Sequence, residues 1–418
     1  MKERVWIINQ YSTTPEYPAS SRHYELAKYL SKQFKVELWG SNFIHHNKRY
    51  RFSPWTIIKQ EQVEAFLINW IGAISYKDNG VSRMLNMLLF AFTVLAVGIC
   101  KREKPSIIIG SSPTLFAAFS SMLLAKYRKA SFILEVRDLW PDSLVEIGGK
   151  SPTSLTVKIL TWMERTLYRN AEKIIILTEG MGPRLEAKGV CSDKIFFLPN
   201  GIDLQDYSLS VDKIKRKELR NELGINDKDI IFMYAGAHGP ANDLTQIIYA
   251  AQQLQTEENI KFLLIGEGVE KQALMKLANE LKLNNIIFRP AVPKSEIGIY
   301  LSIADAFIIC LKDIPLFNDA LPNKLFDYLL HNKYIISTVK GEIEALLDKH
   351  NIGFYGNMKE QGEKYLPNVC RKVISALKMQ RSSNGLHIVK KYYSREKQAQ
   401  QLAKLLTSIY GGKNEHIY

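Results

Sequence analysis

The 418-residue sequence predicts an α/β fold with two doubly wound, Rossmann-like domains that face each other across a cleft. The length exceeds the size at which one hydrophobic core normally keeps growing, so two domains of about 200 residues are expected. The 46% hydrophobic content is typical of a globular chain. Short β-branched runs alternate with longer helical patterns, and the alternation restarts after residue 200.

The first half contains short apolar runs that predict the strands of a parallel sheet. Near-continuous apolar strands separated by amphipathic helices are typical of a sheet that helices cover on both faces. The run Ser21 to Gln33 predicts the first of those helices. The predicted strands are Val5–Asn9, Val36–Gly40, Ile107–Gly110, Phe132–Val136, Ile174–Leu177 and Ile195–Leu198.

The second half repeats this pattern. The turn-rich stretch Pro199 to Asp203 predicts the connection between the halves, and Lys213 to Leu223 predicts a charged helix after it. Lys390 to Tyr410 forms one helical pattern. We expect an N-terminal domain (residues 1–200), a C-terminal domain (residues 201–389) and a final segment (residues 390–418) that packs back on the first domain. The predicted strands are Ile230–Ala235, Lys261–Ile265, Ile286–Phe288, Ala306–Ile309 and Tyr334–Ser337.

Charge and cysteine usage predict a cytoplasmic protein with an anionic partner. The apolar run Val5 to Ile8 is too brief for a secretory signal. The four cysteines lie far apart without zinc-binding spacing, so we interpret them as reduced, buried thiols. Residues 1–200 hold 27 basic and 17 acidic side chains, hence +10 of the net charge of +14. Such a field favours nucleic acid or the anionic inner leaflet of a membrane; the alternative is a basic soluble protein without a polyanionic partner.

Residues 84–100 favour a membrane surface over nucleic acid. Seventeen consecutive residues carry no charge, and Arg83 and the segment Lys101 to Lys104 flank them. That length is marginal for a span, which needs about 20 apolar residues. We expect a helix that is partly core and partly pressed on the bilayer, which would hold the protein peripherally on the inner face of the plasma membrane. A fully buried helix and a true span are the alternatives.

The segment Asp319 to Asp327 contains the main candidate for a functional site. Two carboxylates stand eight residues apart around a proline and a lysine, and Pro322 fits the first turn of a helix. Lys324 would add a positive charge for phosphate, Asp327 could accept two ribose hydroxyls, and Asp319 could reach a sugar. An amphipathic helix with a solvated acid is the alternative. The backbone amides expected to point at an anion are those of Asn323, Lys324 and Leu325.

Loops after two predicted strands add further candidates. Gly266-Glu267-Gly268 precedes a helix that starts near Lys271, and its glycines would let the backbone approach a ligand closely. Plain turn geometry is the alternative, and the third glycine of a dinucleotide fingerprint is absent, so an NAD site is not expected. The segment Arg289 to Val292 could line a base pocket through its main chain or form an ordinary loop.

The strand Phe132–Val136 leads into a loop that holds a cation, a carboxylate and an aromatic ring. Arg137 could hold a phosphate through two N–H donors, and Asp138 could hold a sugar hydroxyl, with Trp140 beside them. A structural ion pair between Arg137 and Asp138 is the alternative.

The loop Gln10 to Ser20 leads into Ser21 and Arg22 at a predicted helix start. It offers backbone amides and the Arg22 side chain to a second anion. We interpret the neighbouring His23 and Glu25 as solvated helix residues.

Four motifs occur in order along the chain, and the set is more specific than any one of them. Together they resemble the family-4 glycosyltransferases of the GT-B fold over nearly the whole chain. The resemblance is strongest to the branch that extends lipid-linked sugars for bacterial surface polysaccharides such as O-antigen and capsule. The motifs are Glu135-Val136-Arg137-Asp138-Leu139-Trp140-Pro141, Pro199-Asn200-Gly201-Ile202-Asp203, Gly266-Glu267-Gly268 and Pro322-Asn323-Lys324-Leu325-Phe326-Asp327-Tyr328.

This resemblance implies a retaining, metal-independent transferase whose nucleotide diphosphate sugar, usually UDP-linked, binds mainly to the second domain. Asp319 and Asp327 match the acids of the family's E-x7-E element, near the donor sugar and at the ribose, and Lys324 matches its phosphate contact. Arg137 and Asp138 fall where many relatives carry a histidine and an aspartate beside the transferred sugar. Further positions expected near the donor are Gly236, His238, Gly266, Gly268, Lys271, Arg289, Val292, Leu321, Pro322, Asn323 and Leu325. Those expected near the acceptor are Ser20, Ser21, Arg22 and Trp140.

The sequence departs from the family pattern in three places. Both acids are aspartates, whereas many relatives have glutamates. The loop Gly236 to Asn242 lacks the arginine and lysine that neutralise the diphosphate in many relatives, so Arg137, Arg289 or Arg22 are candidates to compensate. The segment Pro18 to Ser21 replaces a glycine pair in the first loop.

We therefore expect transfer of a sugar, an N-acetylhexosamine or a deoxy-amino sugar, from a UDP-sugar to a polyprenyl-diphosphate-linked saccharide without a cofactor. Preorganised electrostatics would stabilise the departing UDP. A GT-B UDP-sugar epimerase and a noncatalytic, membrane-bound nucleotide-binding adaptor are the alternatives. The triplet Asp227-Lys228-Asp229 lies in a polar turn before a strand and does not indicate a metal-dependent GT-A site.

Overall fold

A computed structural model describes residues 2–17, 21–45, 47–77, 80–205, 213–257, 259–362, 364–379 and 383–415. The chain divides into two compact units. Unit 1 comprises Met1–Asp203 and Arg395–Tyr418, and unit 2 comprises Leu204–Ser394. The chain therefore leaves unit 1 after Asp203 and returns to it at Arg395.

Unit 1 is built on an eight-stranded sheet, in which only the edge strand β5 runs antiparallel to its neighbour. The strands are β1 (Arg4–Ile8), β2 (Lys35–Ser41), β5 (Ile58–Val63), β6 (Phe66–Ile71), β7 (Ile107–Ser111), β8 (Ser131–Val136), β9 (Lys173–Ile176) and β10 (Ile195–Phe197). Their order in space is β10-β9-β8-β7-β1-β2-β6-β5, and β3 (Phe43–Ile44) pairs separately with β4 (Arg49–Tyr50). The connections run outward from β1 in two directions, as in a doubly wound sheet.

Helices cover both faces of this sheet. One apolar face, which includes Val5 and Ile7 of β1, packs against α1 and α17. On the other face α2 packs beside α3, and α3 packs beside α5. The helices of unit 1 are α1 (Arg22–Leu30), α2 (Val81–Cys100), α3 (Leu115–Arg128), α4 (Asp142–Glu146), α5 (Leu155–Asn170), α6 (Met181–Ala187), a 3-10 turn (Ser192–Lys194) and α17 (Arg395–Glu415).

Unit 2 is built on a six-stranded, fully parallel sheet with the order β13-β12-β11-β14-β15-β16. Its core contains Phe232 and Phe262, whose rings stack with centroids 5.6 Å apart. The strands are β11 (Ile230–Ala235), β12 (Ile260–Ile265), β13 (Ile286–Arg289), β14 (Ala306–Ile309), β15 (Tyr334–Ser337) and β16 (Gly353–Tyr355).

The helices of unit 2 follow or precede these strands and cover the sheet. They are α7 (Lys213–Glu222), α8 (Thr245–Gln253), α9 (Lys271–Glu280), α10 (Lys294–Ile303), α11 (Pro315–Asn318), α12 (Lys324–Leu329), α13 (Glu342–His350), α14 (Met358–Gln361), α15 (Tyr365–Lys378), α16 (Gly385–Ile388) and a π-helical turn (Val389–Tyr393).

The eleven predicted strands are confirmed with end points shifted by at most one residue. The sequence patterns missed the short pairs β3–β4 and β5–β6, and the edge strand β16. The prediction of one helix from Lys390 to Tyr410 is wrong, because Ser394 is extended and separates the π-helical turn from α17. The interpretation of all four cysteines as buried is also wrong, since Cys100 and Cys191 are exposed.

The apolar segment at residues 84–100 lies within α2, which is long and apolar enough to cross a membrane. A third of its most apolar 18-residue window is buried inside the protein. Phe90 and Val94 are fully buried, whereas Phe92 is 71% exposed. The prediction of a helix that is partly core is therefore confirmed, although length and composition alone are weak support for a membrane span.

A buried ion pair fixes the start of α17 on unit 1. The backbone N–H of Arg395 donates to Ile202 O at 3.0 Å, and its guanidinium donates to Gly201 O at 2.6 Å. The same guanidinium donates to the Glu25 carboxylate at 2.7 Å, and both side chains are at most 5% exposed. Further along α17, Leu402 and Leu406 join the core that contains α1.

We predict that Arg395→Ala destabilises unit 1 by about 3 kcal/mol or more, because it leaves the Glu25 carboxylate buried without its cation. The matched control is Glu396→Ala, which removes an exposed pair with Lys32 at 3.5 Å and should cost less than about 1 kcal/mol. Urea unfolding followed by circular dichroism measures both. Equal midpoints for the two variants would contradict the assigned role of Arg395.

Candidate functional site

The loops at the carboxyl ends of β11 and β14 form the candidate site of unit 2. From β11 the chain builds β12 and β13 on one side of the sheet and then β14 to β16 on the other. The connections that follow β11 and β14 therefore diverge, and open α/β sheets bind ligands at such a topological switch point. Residues 236–244 follow β11, and residues 310–323 follow β14 and lead into α12.

The ammonium group of Lys324, the first residue of α12, lies at this switch point. Its Nζ donates to the Tyr234 hydroxyl at 2.7 Å and to Asn242 Oδ1 at 3.3 Å. It also lies 4.0 Å from the centroid of the Tyr234 ring, which adds a cation–π contact. Both hydrogen-bond partners are neutral, and within the described part of the chain no carboxylate pairs with Lys324.

This environment makes Lys324 an unusual lysine. Burial lowers the pKa of its ammonium to about 7, because a cation loses hydration inside the protein, and the nearby Cys310 opposes this only in part. At neutral pH the side chain is therefore divided between its charged and neutral forms. A bound anion would stabilise the charged form, so the group is suited to contact phosphate.

Backbone and ring contacts fix the position of Lys324. A Cβ atom at Gly236 would lie 2.8 Å from Lys324 Nζ, so only glycine leaves room for the ammonium there. The Tyr234 hydroxyl donates to Ala237 O at 2.8 Å. The hydroxyl of Tyr328, one turn along α12, accepts from Ala235 N at 2.8 Å. These contacts join α12 to the end of β11.

The second glycine loop packs against the first. A Cβ at Gly266 would meet Gly236 O at 1.8 Å, and one at Gly268 would meet His238 O at 2.2 Å. The neighbouring loop fills the space beside these glycines, so loop packing explains them, and a close approach of a ligand to their backbone stays a prediction. Their physical role is to let two loops interlock at the carboxyl edge of the sheet.

Two predicted cations near the donor position are already engaged. Lys271 Nζ donates to Gly266 O at 2.9 Å, to Arg289 O at 3.1 Å and to the Glu267 carboxylate at 2.7 Å. The Arg289 guanidinium pairs with Glu222. Because Arg289 is paired with Glu222, this geometry does not support the expectation that it replaces the missing diphosphate-binding residues. Lys271 connects the loop after β12 to the end of β13 through its hydrogen bonds.

The Asp319 to Asp327 segment differs from its predicted form. The helix α12 starts at Lys324 and has six residues, so Pro322 precedes it and does not lie in its first turn. The predicted free amide of Leu325 is wrong, because it donates to Pro322 O at 3.0 Å. Asp319 follows α11 and Asp327 lies within the first turn of α12, and both are partly buried.

The remaining predicted donor positions surround this segment or the loop after β13. Leu321 and Leu325 are buried among apolar residues, which favours packing over ligand contact through their side chains. Asn323 is exposed, and Val292 is partly buried after β13.

In unit 1 the corresponding switch point lies between β1 and β7, and a buried polar network occupies it. Glu135, in β8, accepts from Arg22 Nε at 2.8 Å and from Ser111 Oγ at 2.6 Å, and His23 Nε2 lies 2.6 Å from it. Burial would raise the pKa of the Glu135 carboxyl, but His23 and Arg22 hold it well below its usual value. Asn9 Nδ2 donates to Ser111 Oγ at 2.9 Å and ties the end of β1 to this network.

The prediction that Arg22 offers its charge to an anion is wrong. Its side chain is fully buried, and it donates to Pro199 O at 2.5 Å, to Leu198 O at 3.0 Å and to Glu135. The interpretation of His23 and Glu25 as solvated is wrong as well, since both are at most 4% exposed. These side chains hold the end of β10 and the start of α1 in place.

The loop after β8 keeps two of its predicted candidates accessible. Asp138 is exposed and Trp140 is partly buried. The backbone N–H of Arg137 donates to Ser112 Oγ at 2.8 Å, and its side-chain Nε is buried without a partner among the described residues. Ser21 stands at the N-cap position of α1 without a side-chain capping bond, its hydroxyl donates to the Glu25 carboxylate, and Ser20 lies outside the described residues.

Sequence reasoning did not identify Tyr234 or Asn242 as the groups that hold Lys324. Tyr234 lies near the end of β11, and Asn242 lies in the loop that follows it. The signal that could have identified Tyr234 is a polar residue at the end of a buried strand. Among the described residues no three His, Cys, Asp or Glu side chains come together in a way that could hold a metal ion.

Two family models match this chain and together cover well over half of it. The model of group 1 glycosyl transferases matches residues 215–362, which include the Lys324 site, and the glycosyl transferase 4-like domain matches residues 44–201. The chain is a glycosyltransferase with a 4-like N-terminal domain and a group 1 C-terminal domain.

Curated relatives and solved structures are similar to this glycosyltransferase at low identity. The putative colanic acid biosynthesis glycosyl transferase WcaI of Escherichia coli (strain K12) is 29% identical over 281 residues, 66% of this chain and 68% of that protein. The structure of sucrose-phosphate synthase from Thermosynechococcus elongatus has a TM-score of 0.75 at 14% identity and covers 98% of this chain and 100% of its own. Anabaena HepE in complex with UDP-glucose has a TM-score of 0.66 at 14% identity, with 97% and 99% covered. The likeness to these structures shows that the glycosyltransferase has the GT-B fold.

We predict that Lys324→Met stabilises the ligand-free glycosyltransferase at pH 7. The folded-state pKa of Lys324 lies below its unfolded value, so the unfolded chain holds this proton more tightly and the wild type gains stability as pH rises from about 7 towards 10. The advantage of the methionine variant should therefore shrink over that range. Thermal unfolding at pH 7 and pH 9.5 measures it. The control is Lys276→Met, an exposed lysine that should change little.

A Lys324→Met variant that unfolds at a lower temperature than wild type at pH 7 would contradict the assignment of an uncompensated charge to this side chain.

Proposed function

We propose that this glycosyltransferase moves a sugar from a UDP-sugar to a polyprenyl-diphosphate-linked saccharide, with retention of configuration at the transferred sugar and without a metal ion. The transferred group is an N-acetylhexosamine or a deoxy-amino sugar. The product belongs to a bacterial surface polysaccharide, O-antigen or capsule.

The observation that carries the proposal is the uncompensated Lys324 ammonium at the switch point of unit 2. A diphosphate brings the negative charge that this partly buried cation lacks. The neutral oxygens of Tyr234 and Asn242 orient the ammonium without neutralising it. Such a preorganised cation stabilises the charge that develops on a departing diphosphate.

The names of similar proteins support the choice of donor and product. HepE is described in complex with UDP-glucose, and WcaI is named for colanic acid biosynthesis. A second relative, from Bacillus subtilis (strain 168), is named for teichuronic acid biosynthesis and is 24% identical over 221 residues, about half of each chain. HepE thus matches the proposed reaction in its UDP-sugar, and the two relatives match it in being named for the biosynthesis of a polymer.

In the proposed reaction the bond between the anomeric carbon and the diphosphate oxygen breaks as the acceptor hydroxyl attacks from the same face. The hydroxyl proton passes to the departing phosphate oxygen, and UDP leaves with the bonding electron pair. Lys324 meets the developing charge on the diphosphate. Asp319 orients the transferred sugar, and Asp327 accepts hydrogen bonds from the ribose hydroxyls. The charge on Lys324 supplies the role that a metal ion has in other transferases.

A wide apolar face on unit 1 supports a membrane-bound acceptor. The helices α2, α3 and α5 lie side by side, and Trp162 of α5 contacts Phe119 of α3 with ring centroids 5.6 Å apart. Each helix carries exposed apolar side chains at spacings of three, four or seven residues, which places them on one face. They are Met84, Leu85, Leu88, Leu89, Phe92 and Ile99 on α2, Leu123 and Tyr127 on α3, and Leu155, Ile159 and Trp162 on α5.

Basic side chains flank this apolar face. Lys126 and Lys129 are exposed at the end of α3, and Lys158 and Arg165 are exposed on α5. An apolar surface bordered by lysine and arginine suits the interface of an anionic bilayer. We propose that unit 1 rests on the inner face of the plasma membrane through these three helices, which brings the enzyme to a lipid-linked acceptor.

Lys324→Met is expected to lower the turnover of sugar transfer about 10²-fold or more at saturating donor, as for the loss of one preorganised oxyanion partner. The donor affinity of the wild type should fall as pH rises above about 7, because Lys324 loses its proton in the free enzyme, and the variant should lack this dependence. Release of UDP with polyprenyl-diphosphate-linked acceptors measures turnover, and calorimetry between pH 6 and 9 measures affinity. Lys276→Met is the matched control.

Near-normal turnover in Lys324→Met would rule out the proposed role of this residue. Conversion of the UDP-sugar without any acceptor would favour the epimerase. Tight UDP binding without turnover on any lipid acceptor would favour the noncatalytic adaptor.

A separate test concerns the membrane surface. Phe92→Glu and Trp162→Glu should each lower binding to vesicles that contain anionic phosphatidylglycerol at least about tenfold, because a large apolar side chain leaves the interface. Co-sedimentation with the vesicles measures the bound fraction. Met379→Glu, an exposed apolar residue of unit 2, is the control and should bind like wild type. If Met379→Glu and the two unit 1 variants bind equally well, the surface formed by α2, α3 and α5 is not the contact.

A further inference from the structure

The imidazole of His238 is buried and has no hydrogen-bond partner. Its residue exposure is 0%, and neither Nδ1 nor Nε2 is bonded within the part of the chain that the structure describes. A buried polar group without a partner is unfavourable, and native proteins rarely keep one without a use. The ring lies in the loop after β11, beside the Lys324 site.

Backbone contacts fix this ring in place. The N–H of His238 donates to Glu267 O at 2.9 Å, and its carbonyl accepts from Glu270 N at 3.0 Å. Gly268 packs so closely on this backbone that any Cβ there would lie 2.2 Å from His238 O. The main chain therefore satisfies its own hydrogen bonds, and only the side chain is left without a partner.

The groups around the ring are aromatic or charged. The Tyr234 ring lies 6.0 Å away and the Phe288 ring 6.3 Å away, centroid to centroid. Three charged side chains act on the imidazole. They are Lys271, Lys324 and Glu267.

These surroundings keep the imidazole neutral at physiological pH. Burial, followed by the positive charge of Lys271, lowers the pKa of His238 to about 4, and Glu267 opposes this only in part. A neutral imidazole has one N–H donor and one acceptor nitrogen. The N–H therefore has no acceptor among the described residues.

We propose that the His238 imidazole donates its N–H to a phosphate oxygen of the donor diphosphate. This inference rests on the proposed function, because it requires a nucleotide diphosphate at the Lys324 site. The loop Gly236 to Asn242 has no lysine or arginine, so the ring of His238 in this loop would complement Lys324 of α12 at the diphosphate. The neutral histidine would form a directional hydrogen bond to the phosphate oxygen, while the Lys324 ammonium would supply positive charge.

A structural role for the imidazole makes the opposite prediction for stability. If the ring stabilised the fold, His238→Leu would lower the unfolding temperature, whereas removal of two buried polar atoms that have no partner among the described residues should leave it unchanged or raise it. A histidine kept for a ligand therefore weakens the free protein slightly and strengthens the bound state.

The experiment compares His238→Leu and His238→Gln with wild type, and uses His331→Leu as the control. His331 is a second partly buried histidine of unit 2, and burial lowers its pKa to about 4 as well. The probes are UDP, GDP, ADP and dTDP, and the one that wild type binds most tightly is then compared with its own nucleoside. Calorimetry measures affinity, and thermal unfolding measures the stability of the ligand-free protein.

We expect His238→Leu to weaken diphosphate binding about tenfold or more, to leave nucleoside binding unchanged and to unfold at the same or a higher temperature than wild type. His238→Gln, which keeps an N–H donor, should lose less affinity, and His331→Leu should lose none. Unchanged diphosphate affinity in His238→Leu, or equal losses for diphosphate and nucleoside, would overturn the inference. If wild type binds none of the four diphosphates, the proposed function itself fails.

Discussion

The candidate site of unit 2 is arranged around a positive charge that the described residues leave without a counter-charge. Lys324 is held by a phenol and an amide oxygen, and its pKa falls to about 7 because burial removes hydration that these neutral groups do not replace. Placing a cation in this way is unfavourable for the empty protein. The cost is offset when an anion arrives, so the same geometry that weakens the free fold favours a diphosphate ligand. Contacts of Tyr234, Gly236 and Tyr328 hold α12 against the end of β11 and so fix the position of this ammonium.

The two glycine loops extend this preorganisation. Gly266 and Gly268 are required because the backbone of the neighbouring loop fills the space beside them, and Lys271 ties the second loop to the end of β13. The two loops are therefore packed tightly against each other before any ligand binds. Rigid donors need little rearrangement during a reaction, which is the condition under which electrostatic stabilisation of a leaving group is most effective. His238 is held by this packing through its backbone, while its ring nitrogens stay without partners.

Much of the fold could be predicted from the sequence, because the apolar runs of buried parallel strands are local signals. The strands Ile230–Ala235 and Ala306–Ile309 were predicted to the residue.

The partners of charged side chains were harder to predict from the sequence. Arg22 follows a loop and resembles an anion-binding residue, yet its partner Glu135 lies 113 positions away in sequence, and no local pattern reveals such a buried pair. The break at Ser394 was missed for a related reason, since the helical periodicity continues through it while the chain returns to unit 1 at the next residue. Lys324 was identified from its neighbours in sequence, but the neutral groups that hold it come from β11 and the loop after it, 90 and 82 residues earlier.

A crystal structure of the enzyme soaked with UDP or a nonhydrolysable UDP-sugar would measure the position of the diphosphate directly. We expect a phosphate oxygen within hydrogen-bond distance of Lys324 Nζ, between about 2.7 and 3.2 Å, in place of a purely neutral environment for this ammonium. A second phosphate oxygen should accept from a ring nitrogen of His238. A nucleotide bound elsewhere, with Lys324 still held only by Tyr234 and Asn242, would contradict the assignment of this buried charge to the donor.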